Sequence, residues 1–341
     1  MLPGWINFVF TTKAGGMDLK AHIGLAPGIN DSSHIIGLPS TVAGGAGGIP
    51  GGTSPYSQID TRANYLSFGN ASMGTVKFGR DIGIFGSQVI LADMTLLGVG
   101  GTSNASQPFN TTFGMIGHGY MYTGFQAQIS YASPKFGPAQ FSAGLFQPKP
   151  LSGNQSKTPG LQAGATVDFG GPVPGKLWLG GVSQKTECSG PCPAFDAATL
   201  TGGQGITANG AELGAKVGIG GLELLGYTFA GRGLGLSTVG AQFFGSSDGA
   251  GNKTKSNGYF LQATYKVGDT KFGINHGQNT DENGVLGSGN ELKNRSYTLG
   301  AYHSLNKYVT LVGEVNNEKK SSNGTQSEKN NTVTLGAIMF F

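Results

Sequence analysis

Tyr259-Phe260-Leu261-Gln262-Ala263-Thr264-Tyr265-Lys266-Val267 alternates residue by residue. Tyr259, Leu261, Ala263, Tyr265 and Val267 share one face, and Phe260, Gln262, Thr264 and Lys266 share the other. A period of two is the mark of a strand whose faces meet different surroundings. Leu161–Phe169 repeats the pattern, with Leu161, Ala163, Ala165, Val167 and Phe169 against Gln162, Gly164, Thr166 and Asp168. Thr332–Phe341 does so too, although Ile338 and Phe340 blur the contrast at its end. Similar alternation runs through Leu19–Leu25, Phe125–Tyr131, Ala211–Ile219 and Val309–Val315. Several of these segments are about ten residues long, enough to cross a bilayer at a tilt.

The connections alternate as well. Gly69–Met73, Lys135–Ala139, Gly170–Gly175, Gly220–Gly221, Gly268–Asp269 and Asn306–Lys307 read as short turns. Ala26–Ser57, Gln147–Gly160, Thr186–Ala208, Arg232–Ser256, Asn279–Asn294 and Lys319–Asn331 read as long, mostly polar loops. This is an all-β, up-and-down antiparallel meander whose apolar face carries almost no charge. A soluble sandwich would set many more Lys and Glu on its polar face. A transmembrane β-barrel reverses the arrangement, apolar outside and polar within. Fifteen candidate strands emerge, at 5–12, 17–25, 58–68, 74–80, 117–132, 139–147, 161–169, 176–185, 209–219, 222–230, 257–267, 270–278, 295–305, 308–317 and 332–341. Bacterial single-chain barrels have even counts, so a further strand is expected either upstream of Met1 or inside Ala26–Ser57.

Composition agrees. The chain has 62 glycines among 341 residues, with 12% charged residues and a net charge of +4, against usual shares of about 7% and about 25%. With 20 Phe, 11 Tyr and 2 Trp it is too aromatic for a disordered chain, and so much glycine disfavours a helical bundle. Ile82–Gly101, the longest weakly polar stretch, is broken by Ser87, Gln88 and Asp93 and makes a poor transmembrane helix. No linker divides the chain, so residues 1–341 are read as a single domain. Met1 is not followed by a signal peptide, so either one has been removed or the protein is cytoplasmic.

Further residues carry a resemblance. Thr61-Arg62-Ala63-Asn64-Tyr65-Leu66-Ser67-Phe68-Gly69 followed by Met73-Gly74-Thr75-Val76-Lys77-Phe78-Gly79-Arg80 resembles the strand–turn–strand before the constriction loop of Gram-negative trimeric porins. Tyr131-Ala132-Ser133-Pro134-Lys135-Phe136 is similar to their periplasmic turn after that loop, and Phe341 to the terminal aromatic read by the outer-membrane insertion machinery. The resemblance implies a 16-stranded barrel in the outer membrane of a Gram-negative bacterium, a homotrimer surrounded by outer-membrane lipid. Its third long loop, about residues 81–117, would fold into the lumen. The function implied is a water-filled diffusion channel for small hydrophilic solutes and ions.

Within that reading, Arg62 and Arg80 match the family's arginines at the ends of these strands. Lys77 faces inward by parity, whereas Arg80 falls with Val76 and Phe78 but closes its strand. The two arginines either line the pore or brace the loop through its carbonyls. Asp93 is the only acid between Asp81 and Asp168, so the constriction lacks the family's usual row of carboxylates and is expected to favour anions weakly or be neutral. His118, after the loop, either faces the pore or sits at its rim. Lys20, Lys216 and Lys266 widen the basic surface or are solvated.

Other signals point away from chemistry. Cys188 and Cys192 in Cys-Ser-Gly-Pro-Cys read as a loop-stiffening disulfide, without the histidine a zinc site would need. The five histidines lack metal-ligand spacing, no phosphate-binding loop is present, and the Gly245–Gly249 match to a nucleophile elbow has no helix after it. Neither an enzyme, a cofactor, a metal nor a nucleic-acid surface is expected. The alternative is a surface β-barrel that acts mainly in adhesion or lattice formation, with its pore plugged.

Overall fold

The computed structural model describes residues 4–27, 59–98, 114–148, 154–188, 205–236, 242–244, 246–247, 252–284 and 288–341. The strands in chain order are β1 (Ile6–Ala14), β2 (Met17–Pro27), β3 (Ile59–Asn70), β4 (Gly74–Ile82), β5 (Phe125–Ala132), β6 (Ala139–Phe146), β7 (Asn154–Gln155), β8 (Gly160–Phe169), β9 (Gly175–Cys188), β10 (Gly205–Ile219), β11 (Leu222–Arg232), β12 (Leu234–Leu236), β13 (Gln242–Phe244), β14 (Lys255–Val267), β15 (Thr270–Glu282), β16 (Glu291–Ser304), β17 (Val309–Ser322) and β18 (Thr325–Met339). Fifteen long strands pair with their neighbours in sequence; β7, which pairs with β9, brings the sheet to sixteen. β12 and β13 form a separate hairpin in a loop. Among the described residues, β1 and β18 are the two edges of the sheet.

The side chains are inside out relative to a soluble protein. On β14 to β18, one cross-strand row reads Ala263, Ile274, Leu299, Val315 and Val333, and the next reads Tyr265, Phe272, Ala301, Gly313 and Leu335. These rows face outward, with Leu299 59% and Leu335 84% exposed. The opposite face carries Gln262, Asn275, Thr298 and Asn316 in one row, all buried. Such a wall suits hydrocarbon outside and polar groups within.

The sheet curls. Inward side chains from β8, β10, β14, β15 and β17 all touch the single segment between β4 and β5. Strands so far apart in the sheet reach one segment only if the sheet wraps around it. The fold is thus the porin-like barrel expected from the alternation.

Two boundaries depart from the sequence reading. The strand expected at 117–132 begins at Phe125, and Gly114–Gly124 instead runs within the barrel. Lys319–Asn331, expected as a long loop, belongs mostly to β17 and β18, joined at Asn323-Gly324. Both residues have positive φ, 49° and 78°, as a two-residue hairpin turn of the I′ type requires. Of the segment Ala26–Ser57, residues 28–58 lie outside the described residues.

If the exposed rows face lipid, Leu299→Arg destabilises the protein by about 2–4 kcal/mol when unfolded from lipid vesicles by denaturant. A change within about 0.5 kcal/mol, as at an ordinary wet surface, would contradict the inverted arrangement.

Candidate functional site

The interior is built around the segment that follows β4. It contains α1 (Ser87–Ala92), a 3-10 turn at Met94–Leu97, and the return run Gly114–Gly124. A chain crossing the lumen needs partners for its backbone groups, and long polar side chains of the wall supply them. The Phe85 amide donates to Gln162 Oε1 (3.0 Å), and the Gly86 amide to Glu212 Oε2 (2.9 Å). Gln262 accepts from the Met94 amide (2.7 Å) and donates to the Ala92 carbonyl (2.9 Å). Asn279 donates to the Tyr120 carbonyl, and Gln128 donates to the carbonyls of Asp81 and Ile82 at the end of β4, just before the segment begins. Glycines admit the close approach: a Cβ at Gly277 would lie 2.0 Å from the His118 carbonyl oxygen.

An apolar core reinforces this anchoring. Phe85, Val89, Ile90, Met115 and Tyr120 of the segment pack on Trp178, Val182, Tyr227, Phe229 and Phe260 of the wall. Phe260, the one apolar residue on the otherwise polar face of Tyr259–Val267, is fully buried and meets Tyr120 edge to face at 5.6 Å. The segment therefore fills the side of the barrel bounded by β9 to β14.

The facing wall, β1 to β4, is lined differently. Lys20, His22, Tyr65 and Lys77 share the inward register. Lys20 Nζ lies 5.4 Å and Lys77 Nζ 4.8 Å from the centre of the Tyr65 ring, close enough for cation–π attraction. His22 contacts Tyr65 Oη at 3.2 Å and Asn7 Oδ1 at 2.8 Å, and Lys77 pairs with Asp81. Below them, at the short-turn end, a cavity of about 1010 Å³ is lined by Lys13, Asp18, Lys20, Ser67, Thr75 and Gln140, among others. Around the same end, Lys176 pairs with Asp168 (3.4 Å) and Lys216 with Glu223 (3.0 Å). Lys266 and Lys271, opposite one another and next to inward Tyr302, have no carboxylate within 4 Å among the described residues.

A family model of Gram-negative porins matches residues 4–323. The chain belongs to the Gram-negative porin family. It is a non-enzymatic diffusion channel of the Gram-negative outer membrane. The porin is similar in fold to the outer membrane channel DcaP of Acinetobacter baumannii, at 17% identity and a TM-score of 0.66, with 98% of this chain and 84% of that one covered. It is likewise similar to OmpF of Salmonella typhi, solved with daunomycin, at 14% identity and 0.62, covering 98% and 89%. An anion-selective porin from Comamonas acidovorans aligns at 17% identity and 0.58, covering 98% and 89%. No curated protein matches significantly.

The porin places the expected site residues in three kinds of surroundings. Lys77 is on the inner wall. Arg62 lies where β3 bulges opposite Ile23–Leu25 and is half-buried and engaged by its neighbours. Arg80 falls on the outward register with Phe78, and its Nε donates to the Thr61 carbonyl at 3.0 Å, a brace between neighbouring strands. Asp93 and His118 are buried within the packed segment, away from an open lumen. Asp93 accepts from the Thr95 amide (2.9 Å) and the Tyr120 hydroxyl (2.7 Å). His118 Nε2 lies 2.6 Å from Glu318 Oε1. The wall residues Gln162, Glu212 and Gln262 escaped the sequence reading; their signal is a long polar side chain on the inward face of a strand. Cys188 ends β9, while Cys192 lies outside the described residues. Phe341 is fully exposed.

Burial pushes the Asp93 carboxyl up from its ordinary value of 3.8, more than its two hydrogen bonds pull it down. A group raised on folding binds its proton more tightly when folded. Its contribution is therefore greatest below pH 3.8 and is lost as pH climbs through the raised value. Asp93→Asn removes the charge, keeps its amide oxygen as the acceptor for the Thr95 amide and turns its NH2 group as a donor toward the Tyr120 hydroxyl oxygen. The variant is expected to lose less thermal stability than the parent between about pH 3 and pH 8, by about 1.4 kcal/mol for each unit of the shift. Equal losses would contradict a buried, charge-penalised Asp93.

Proposed function

We propose that this porin passes small hydrophilic solutes along the inner wall of β1 to β4, with a preference for anions. The observation that carries this reading is where the charges lie. Between Asp81 and Asp168 the chain has one acid, Asp93, and it is turned into the packed segment against Tyr120. The infolded segment thus offers no carboxylate to the lumen, while Lys20, Lys77, Lys266 and Lys271 face inward. Three further observations shape the path. Asp81 partly offsets Lys77, which keeps the preference weak. Tyr65 holds both neighbouring lysines at its face, setting a basic strip along the wall. Arg80 acts as a brace between neighbouring strands through the Thr61 carbonyl.

The fixed positive charge attracts anions and raises their local concentration in a narrow, low-dielectric passage. The similar Comamonas acidovorans porin is anion-selective by its description, which supports the same sign here. A homotrimer follows the trimeric porins that the sequence resembles. The Cys188–Cys192 pair is read as a loop disulfide.

The test is the zero-current potential of the purified protein in a planar bilayer under a potassium chloride gradient. Stepwise conductance with an anion-preferring potential is expected. Lys20→Glu combined with Lys77→Glu should shift it toward cations, each lost charge changing the permeability ratio up to about fivefold, as for about 1 kcal/mol at close range in water. Cation preference in the parent protein would overturn the assignment of the basic wall. Absence of conductance from folded protein would favour the plugged, adhesive barrel.

A further inference from the structure

The face that the infolded segment leaves open to the lumen is apolar. α1 packs Val89 and Ile90 into the core, while Leu91, next in sequence, stays 61% exposed. Ala92, Leu96 and Leu97 are half-buried and carry the strip onward from that core to Tyr302 and Val312. The polar residues of this stretch are turned elsewhere. Ser87, Asp93 and Thr95 are buried, and Gln88 accepts from Lys176 Nζ at 3.4 Å. The segment lies within the curled sheet, so the surface it leaves open meets neither lipid nor a neighbouring copy.

The strip lies at the depth of the basic wall. Lys20 is three residues from Met17 and Lys77 three from Gly74, where β2 and β4 leave their short turns. Gln88 reaches Lys176, the second residue of β9 after its short turn. Leu97 packs beside Tyr302 and Val312, two and three residues from the short-turn ends of β16 and β17. Both sets of residues border the short-turn half of the lumen, one from the segment and one from β1 to β4.

The acids of that wall are already engaged. Asp18 pairs with Lys13 (3.1 Å) and Asp81 with Lys77. Lys20 has no carboxylate within 4 Å among the described residues and lies over the Tyr65 ring. The His22 ring is beside Tyr65, with centres 5.1 Å apart. Cations and aromatic rings on one side and leucines on the other make a passage that is charged and apolar at once. Small-molecule sites commonly combine an apolar lining with a few placed polar groups.

We propose, resting on the anion preference argued above, that the channel favours organic monocarboxylates with an apolar body over inorganic anions and short-chain carboxylates. The carboxylate is held by Lys20 and Lys77, and the hydrocarbon of the solute covers Leu91 as it passes. Removing apolar surface from water is favourable. Chloride has no such surface and gains nothing from the leucines. Leu91 is then a specificity-determining residue, with Lys20 as its charged counterpart.

The test reads the block of chloride current through single channels by phenylacetate and by acetate, each titrated through the millimolar range. The zero-current potential in potassium chloride alone is read first, and cation preference there would overturn the anion reading and this proposal with it. In an anion-preferring channel, phenylacetate should block at a concentration about fivefold lower than acetate or less. Leu91→Asn, of similar size, should weaken phenylacetate block about fivefold, as for losing contact with one partly exposed leucine, and should leave acetate block as in the parent. Leu91→Met, which keeps the apolar surface, should behave as the parent does, and Lys20→Gln should weaken block by both anions. Resistance of the folded band to heating confirms that each variant folds. Equal block by phenylacetate and acetate in an anion-preferring parent, or equal phenylacetate block in the parent and Leu91→Asn, would overturn this proposal alone. Block by phenethylammonium at the concentration effective for phenylacetate would also overturn it, since the apolar strip would then act without the lysines.

Discussion

Hydrocarbon offers no hydrogen bond to a peptide group, and the rest of this structure follows from that. Each unsatisfied N–H or C=O in a membrane costs several kcal/mol, so the chain crosses as a meander in which every long strand pairs with its sequence neighbours. The pairing fixes the faces. Outward positions lose their charges, inward positions gain amides and hydroxyls, and the resulting wall encloses a space that water can wet. The same rule then acts on the segment that enters this space. Its backbone groups also need partners, and Gln162, Glu212, Gln262 and Asn279 provide them from the wall.

That anchoring is lopsided, and the asymmetry shapes the channel. Apolar residues pin the segment to the β9 to β14 side, which leaves β1 to β4 as the wall beside open space. Glu212 illustrates the coupling: one carboxylate oxygen accepts from both the Gly86 amide and the Tyr227 hydroxyl (2.8 Å), tying the start of the segment to the wall. Acidic groups are thereby spent on holding the loop in place. Lys20, Lys266 and Lys271 face inward toward the short-turn end, where Lys176 and Lys216 are paired with Asp168 and Glu223.

Much of this was legible from period-two patterning, because alternation reports directly on which face meets lipid. The fifteen long strands and the inward direction of Lys77 are of this kind, whereas the infolded loop followed from the resemblance of its flanking residues to those of Gram-negative porins. What escaped depends on contacts that a linear pattern does not encode. The polar face of Tyr259–Val267 includes Phe260, whose partner Tyr120 is far away in sequence. Asp93 looks like a pore carboxylate until its burial against Tyr120 is seen. The parity of Arg62 is broken by a bulge in β3. Asn323-Gly324 was a hairpin signal that the surrounding polar residues concealed; there the strands extend past the lipid, where alternation in hydrophobicity fades.

The central claim is that the open path runs beside β2 to β4 and that the infolded segment seals the opposite wall. Cysteines introduced singly at Ser67, on the open side, and at Thr298, buried behind the segment, test it in a background lacking Cys188 and Cys192. A charged thiol reagent added during single-channel recording should lower the conductance of the Ser67→Cys channel and leave the Thr298→Cys channel unchanged. Block at position 298 with none at position 67 would contradict the account.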